Sequence, residues 1–349
     1  MIMNVDWDIK EIWLLKRRLL ARYKRLRHIL PLDLNFELTP KCNLNCRYCG
    51  REYIMLNKLR DSNDMSLDLV KRVVEEFAII AKKTHSSILV GPVGLGEPLL
   101  DSRFFEIVSL IRQYIPKAYI HANTNGLLLN ERNIKKVVNS ELDSLILSIN
   151  TWSRDDYLSL HKLDYFNNVR SNIINLLKTP RGHKPKIIVQ LLDISLNAQK
   201  MDAFKNYWKQ FIKPTDSIYI RPFSPLKKHI RKMMPNEELN TYLKYLGAED
   251  YKLTKKRYPC YALFGTCMID KDGYIFPCCM GLWFSHESDL CLGNIKETSI
   301  RDVYRKGSKL YTLRKLHLQG KWDSIDACKE CNSWVVMPNI FFKLRNRWI

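Results

Sequence analysis

The stretch Thr39-Pro-Lys-Cys-Asn-Leu-Asn-Cys-Arg-Tyr-Cys49 decides how this chain is read. Its cysteines, Cys42, Cys46 and Cys49, follow the spacing C-x3-C-x2-C. Three thiolates this close in sequence can wrap three corners of one cubane iron–sulfur cluster, leaving the fourth iron without a protein ligand. An open iron can take a substrate or cosubstrate, as open positions do in catalytic metal sites generally. A zinc knuckle is the competing reading. Zinc takes four ligands, and no Cys or His near this loop in the sequence completes a tetrahedral set.

A strand-like run, 35–39, leads into the loop, and five more follow at 87–91, 118–122, 144–149, 186–192 and 217–221. Helix-like segments separate them. The clearest puts Leu69, Val70, Val73, Val74, Phe77 and Ile80 on one face; another does so with Phe166, Val169, Ile173, Leu176 and Leu177. This alternation predicts an α/β fold with a parallel sheet and right-handed crossovers. Active-site residues then belong at the C-terminal ends of the strands, where the cysteine loop falls.

The loop, with Tyr48 before its last cysteine and its place after the first strand, resembles the radical S-adenosylmethionine superfamily. Gly94-Leu-Gly-Glu-Pro98, after the second strand, is similar to that family's Gly-Gly-Glu-Pro motif: Leu95 departs from it, while Gly96, Glu97 and Pro98 match. Thr124-Asn-Gly126 follows the third strand and Ser148-Ile-Asn150 ends the fourth, as in similar members.

The resemblance implies a partial (β/α)6 barrel and a [4Fe-4S] cluster on Cys42, Cys46 and Cys49. Its open iron would chelate the amino and carboxylate groups of S-adenosyl-L-methionine. Tyr48, Gly96, Glu97, Pro98, Asn125, Ser148 and Asn150 are the implied cosubstrate-binding residues, with the Gly-Glu-Pro element at the amino group and Ser148 at the carboxylate. An electron from a reductant such as flavodoxin or ferredoxin would cleave the sulfonium. The resulting 5′-deoxyadenosyl radical would abstract a substrate hydrogen. Relatives usually carry an Arg about a dozen residues after that Ser; here Leu160, His161 and Lys162 stand there. Either His161 or Lys162 takes over the carboxylate, or the place is an ordinary surface position on a helix.

A second cysteine set, Cys260, Cys278, Cys328 and Cys331, has the pattern C-x17-C-x49-C-x2-C. Asp272-Gly273, a hairpin-turn pair, and Leu292-Gly-Asn-Ile295 lie between them. This order resembles the SPASM/twitch auxiliary domain of the same superfamily, in its shortened form because no cysteine follows Cys331. It implies a second, auxiliary [4Fe-4S] cluster. Four thiolates could saturate that cluster, and they would equally suit tetrahedral zinc. Cys267, Cys279 and Cys291 are left over, either as buried free cysteines or as replacements for a ligand.

With one auxiliary cluster, the resemblance implies two-electron oxidation of a small-molecule alcohol to a carbonyl, as twitch-type dehydrogenases of carbinols perform. Gln190, Asp193 and Arg221, at or near the ends of strands five and six, are the candidate catalytic contacts, although strand-end polar residues also cap loops. A second reading is modification of a peptide; the lead-in before Asn35 is short for a typical peptide-binding domain. A third is a non-catalytic metal scaffold that binds nucleic acid. The Gly-Glu-Pro and Ser-Ile-Asn elements oppose it, since a scaffold needs no cosubstrate pocket, and no specific nucleic acid is predicted.

The net charge of +21 points to an anionic partner or to compositional bias. The expected organisation is a basic amphipathic helix (1–31), a core (32–225), a linker (226–257), the auxiliary domain (258–335) and a basic tail (336–349). No secretory signal or membrane span is evident, so a cytoplasmic location is expected. The two basic ends either pack on the barrel or give a peripheral contact with an anionic membrane.

Overall fold

The computed structural model describes residues 30–56, 60–84, 88–193, 198–222, 259–284, 286–305, 307–329 and 331. The expected N-terminal helix, the linker and the C-terminal tail lie outside them.

The first half of the described chain alternates strand and helix: β1 (Asp33–Phe36), α1 (Arg51–Leu56), α2 (Leu67–Thr84), β2 (Leu89–Gly91), α3 (Phe104–Tyr114), β3 (Tyr119–Thr124) and α4 (Glu131–Val138). It continues through β4 (Ser144–Asn150), α5 (Arg154–His161), α6 (Phe166–Lys178), β5 (Lys186–Asp193), α7 (Ala198–Lys209) and β6 (Ser217–Pro222). The auxiliary region adds α8 (Ala262–Gly265), β7 (Thr266–Ile269), β8 (Ile275–Phe276), α9 (Ile300–Val303), α10 (Lys309–Leu318) and α11 (Asp326–Lys329).

All six expected strands form. They run parallel in the order β6-β5-β4-β3-β2-β1, an open sheet consistent with a partial barrel. The helices bury the faces their periodicity marks: Leu69, Val70, Val73, Val74, Phe77 and Ile80 of α2 all reach the core, as do Phe166, Val169, Ile173, Leu176 and Leu177 of α6. Apolar residues on one stripe have no other way to leave water.

The N-terminal ends of the strands are held by buried carboxylates. Asp143 accepts from the Ile120 amide at 2.8 Å and from Arg112 at 2.6 Å. Asp216 accepts from the Ile187 amide at 2.9 Å and pairs with Arg181. These bonds fix strand register on the face away from the cysteine loop, leaving the opposite rim for chemistry.

β1 runs 33–36 where the sequence suggests 35–39. Beyond Phe36 the buried Glu37 carboxylate faces Arg60 and accepts from the Leu95 amide at 3.1 Å, so the chain is drawn into the rim. The auxiliary region joins the same sheet. β7 pairs in parallel with β1, Asn35 opposite Met268, and β8 returns antiparallel to β7. Asp272-Gly273 makes that hairpin turn, as expected, with Gly273 at φ +95° and Asp270 Oδ1 accepting from the amides of Asp272 and Tyr274.

Candidate active site

The cysteine loop leaves β1 and is tied down at both ends. Arg51 at the start of α1 donates to the Leu44 carbonyl at 3.1 Å and to Asn45 Oδ1 at 2.8 Å, closing the loop on itself. Leu44 is buried beneath it. The Cys49 amide donates to the Cys46 carbonyl at 3.0 Å. Gly50 is pressed against Trp283 of the auxiliary region: a Cβ there would lie 2.5 Å from the indole. The loop therefore touches both halves of the molecule.

Burial raises the Cys42 and Cys46 thiols above their ordinary range, and for Cys46 the neighbouring Cys49 and Cys42 add to the rise. Buried thiols this close resist ionising together unless a cationic group sits among them, which suits an iron cluster. Zinc fits poorly. At Zn–S of 2.3 Å, tetrahedral thiolates stand about 3.8 Å apart. Among the described residues, the one group of three or more metal-type ligand atoms within 4.8 Å of one another is Asp270, Asp272 and His286; no cysteine set is drawn in so tightly. A cubane holds its thiolates farther apart, one to each iron.

The second wall of the site is the loop after β2. Gly96 lies under the cysteine loop: a Cβ would meet the Thr39 carbonyl oxygen at 2.1 Å and that of Lys41 at 2.5 Å. The Glu97 amide donates to that Lys41 oxygen at 2.8 Å. Gly94 is equally crowded, by Glu37 at 2.5 Å. Leu95, the departure from the family pattern, stands between two glycines that must be glycines. Its own side chain is half-buried on the core, and its amide donates to Glu37.

Glu97 is buried, and desolvation pushes its carboxyl up to about 7 despite donors on both oxygens. Oε1 accepts from Thr124 Oγ at 2.8 Å and from the Leu99 amide at 3.2 Å; Oε2 accepts from the Asn125 amide at 2.8 Å. Pro98 is buried and begins a single turn, Pro98–Leu100. Asn125 Nδ2 donates to Asn43 at 2.7 Å and lies 3.9 Å from Cys42 Sγ, so the end of β3 reaches the first cysteine.

The end of β4 reaches the last cysteine's neighbour. Asn150 takes φ +60° beside an irregularity in the β4–β5 ladder, a conformation Asn tolerates better than most residues. Its Nδ2 donates to the Tyr48 hydroxyl at 2.6 Å. Gln190 Nε2 donates to Asn150 Oδ1 at 2.9 Å and approaches Ser148 Oγ at 3.4 Å. Gln190, read from sequence as a substrate contact, is buried and engaged from behind with the two β4 residues. Asp193 ends β5 opposite Pro222. Arg221 is half-buried on β6, and its charge acts on the Cys279 thiol against the larger effect of burial.

His161 and Lys162 part company. Lys162 is exposed in the left-handed cap of α5. His161 is 1% exposed and its Nδ1 lies 2.9 Å from Cys46 Sγ. Sequence reasoning considered it for the cosubstrate carboxylate or as a surface residue and did not pair it with the cysteine loop. The signal that could have found it is the apolar stripe of α5, where Tyr157, Leu160 and His161 share the buried face.

The auxiliary cysteines converge as well. Burial raises the Cys278 thiol strongly, and the neighbouring Cys279, Cys260, Cys328 and Cys331 each raise it further. The Cys331 amide donates to the Cys328 carbonyl at 3.2 Å, a tight turn that joins the two residues. Cys267 is elsewhere. It lies in β7 opposite Leu34, fully buried, its thiol pushed up to about 12 by burial and bonded to Tyr304. Cys291 is also a core residue.

Two family models match this chain. The radical SAM superfamily model matches residues 36–194 and the iron–sulfur cluster-binding SPASM model matches residues 260–332. The chain belongs to the radical SAM superfamily. The radical SAM domain implies a [4Fe-4S] cluster and S-adenosylmethionine, and the SPASM domain implies auxiliary iron–sulfur clusters. A probable GTP 3′,8-cyclase of Methanococcus maripaludis is 28% identical over 210 residues, 59% of this chain and 65% of that protein. The chain spans less than two thirds of the length of the first curated relatives it matches. Two solved structures share the fold. BtrN in complex with AdoMet and 2-DOIA has TM-score 0.54 at 18% identity, covering 87% of this chain and 93% of that one. SuiB of Streptococcus suis bound to the precursor peptide SuiA has TM-score 0.58 at 17% identity, covering 91% and 74%. Among the described residues of this radical SAM enzyme, no helix is long and apolar enough to cross a membrane.

Proposed function

We propose that this enzyme reductively cleaves S-adenosylmethionine and uses the radical to oxidise a small-molecule alcohol to a carbonyl. Cys42, Cys46 and Cys49 would hold the first cluster, and Cys260, Cys278, Cys328 and Cys331 the auxiliary one. The cofactors supply the one-electron cleavage and accept the substrate's second electron when bound. The protein holds the cosubstrate between two walls. Glu97, braced by Thr124 and Asn125, offers a carboxylate to its amino group. Ser148 and Asn150, braced by Gln190 and Tyr48, offer hydrogen bonds to its carboxylate. Arg221 and Asp193, on β6 and at the end of β5, would be the residues offered to a substrate.

The observation that carries the dehydrogenase reading is the position of Cys279. Arg221 on barrel strand β6 and Cys331 of the auxiliary set both act on its thiol. This neighbourhood supports an auxiliary site close to the barrel, where a cluster saturated by four thiolates would take an electron from a substrate radical without binding the substrate. The fold shared with BtrN, solved with a small molecule, supports this reading. The fold shared with SuiB, solved with a peptide, favours the second reading, peptide modification.

The test uses anaerobically reconstituted, reduced protein supplied with S-adenosylmethionine and with a panel of carbinol-deuterated small-molecule alcohols. Release of 5′-deoxyadenosine carrying deuterium, with loss of three mass units from one labelled alcohol (its carbinol deuterium and its hydroxyl proton), is expected. No 5′-deoxyadenosine under any condition would sink the radical mechanism. Deuterium taken only from Cα-labelled peptides would replace the alcohol reading with the peptide one.

A further inference from the structure

We propose that His161 sets the reduction potential of the first cluster by donating an Nδ1–H hydrogen bond to the Cys46 thiolate. The inference rests on the reading that Cys42, Cys46 and Cys49 hold that cluster. The contact is short, 2.9 Å between Nδ1 and Sγ, and the residue is 1% exposed. The ring has little freedom. Its centroid is 4.2 Å from that of Tyr157, and the Tyr48 ring meets it edge-on at 5.9 Å.

The backbone fixes the same contact. His161 is the last residue of α5, and Leu160 beside it accepts from the Arg47 amide at 2.8 Å. Two consecutive residues of the helix end thus meet two consecutive residues of the cysteine loop, side chain to side chain and backbone to backbone. A thiolate bound to iron has no proton to give, so a contact this short places the proton on Nδ1. A hydrogen bond to an anionic sulfur is stronger than a neutral one, and burial keeps water from screening it. It draws negative charge from the sulfur and so favours the reduced, more negative cluster; hydrogen bonds to the sulfurs are one of the levers on such potentials.

Service as a fourth zinc ligand is excluded by geometry. Nitrogen and sulfur on one tetrahedral zinc stand about 3.5 Å apart, from Zn–N near 2.0 Å and Zn–S near 2.3 Å. His161 approaches Cys46 more closely than that, and the three cysteines with His161 form no group within 4.8 Å. His161 is therefore a positioning residue that acts through Cys46. It stands where similar enzymes carry an Arg, yet it is turned toward the cluster ligand, which leaves Ser148 and Asn150 to meet the cosubstrate carboxylate.

The test is an EPR-monitored redox titration of reconstituted full-length protein, with the first cluster identified by the change in its signal on adding S-adenosylmethionine. His161→Phe, which keeps a ring and removes the donor, should lower the equilibrium constant for reduction about tenfold, about 59 mV for one electron. His161→Asn, whose amide nitrogen can occupy the Nδ1 position, should stay within about threefold of the wild type. His161→Leu is read in place of the Phe variant if that variant assembles no first cluster. An unchanged potential in the variant lacking the donor, or an Asn variant shifted as far as it, overturns the inference. Failure of the wild type to assemble any cluster on the first three cysteines would instead overturn the reading beneath it.

Discussion

Thr124 donates its hydroxyl to Glu97 at 2.8 Å, joining the end of β3 to the loop after β2. The bond aims the carboxylate without neutralising it. Burial raises the carboxyl from 4.5 to about 7. A folded-state value above the unfolded one means that the folded chain holds the extra proton. The associated stability is full below about 4.5 and is lost as pH rises to about 7. A cosubstrate amino group that pairs with ionised Glu97 must displace that proton in the same window. S-adenosylmethionine affinity is therefore expected to fall by up to roughly tenfold per pH unit below about 7, with proton release on binding measurable by calorimetry in two buffers. Glu97→Gln should bind more weakly and lose the dependence. A flat wild-type profile would remove Glu97 from the amino group.

Gly96 allows the two loops to cross. Gly96→Ala drives a methyl into the Thr39 and Lys41 carbonyls, whose oxygens a Cβ would approach to 2.1 and 2.5 Å. Overpacking of this kind costs about 1–3 kcal/mol, more when backbone must move. We expect this variant to lose first-site iron and cosubstrate binding while auxiliary iron stays. Leu95→Ala, at the half-buried position between the glycines, should retain both. Equal iron loss in the two variants would mean that the loop is merely fragile.

Replacing Cys42, Cys46 and Cys49 together with Ala should reduce iron from about eight to about four per chain, since each cubane carries four. Cosubstrate cleavage should disappear, measured as 5′-deoxyadenosine by chromatography. Cleavage that persists in this variant would end the assignment of radical chemistry to the first loop.

The strands, the apolar faces of α2 and α6, and the hairpin at Asp272-Gly273 were legible because each follows from local pattern: period, turn chemistry and burial of one stripe. The three-cysteine loop was legible from its spacing and its place after β1. What sequence could not place were pairings across long separations. His161 and Cys46 are 115 residues apart, and nothing local distinguishes a histidine on the buried side of a short helix from one on its surface. The pairing of β7 with β1 joins residues more than 230 positions apart, across a segment whose pattern had stopped alternating. Gln190, expected at or near a strand end, lies within β5, and its partners depend on the irregular ladder at Ser148 and Asn150, a backbone feature with no composition of its own.

Cys328 and Cys331 separate the two enzymatic readings. They share a tight turn and both act on Cys278, so replacing the pair with Ala removes two of the thiols that neighbour it. The variant should keep about four irons and the first cluster's response to S-adenosylmethionine, because the first loop draws its ligands from elsewhere. Cleavage to 5′-deoxyadenosine should continue, while the yield of oxidised product per cleavage falls at least about tenfold, since the substrate radical loses its electron acceptor. The measurement is the ratio of carbonyl product to 5′-deoxyadenosine under identical reduction. An unchanged ratio would detach the auxiliary site from oxidation and leave it a structural role. One zinc per chain in the wild type, with a single iron–sulfur signal, would reassign the site to zinc and remove the dehydrogenase reading with it.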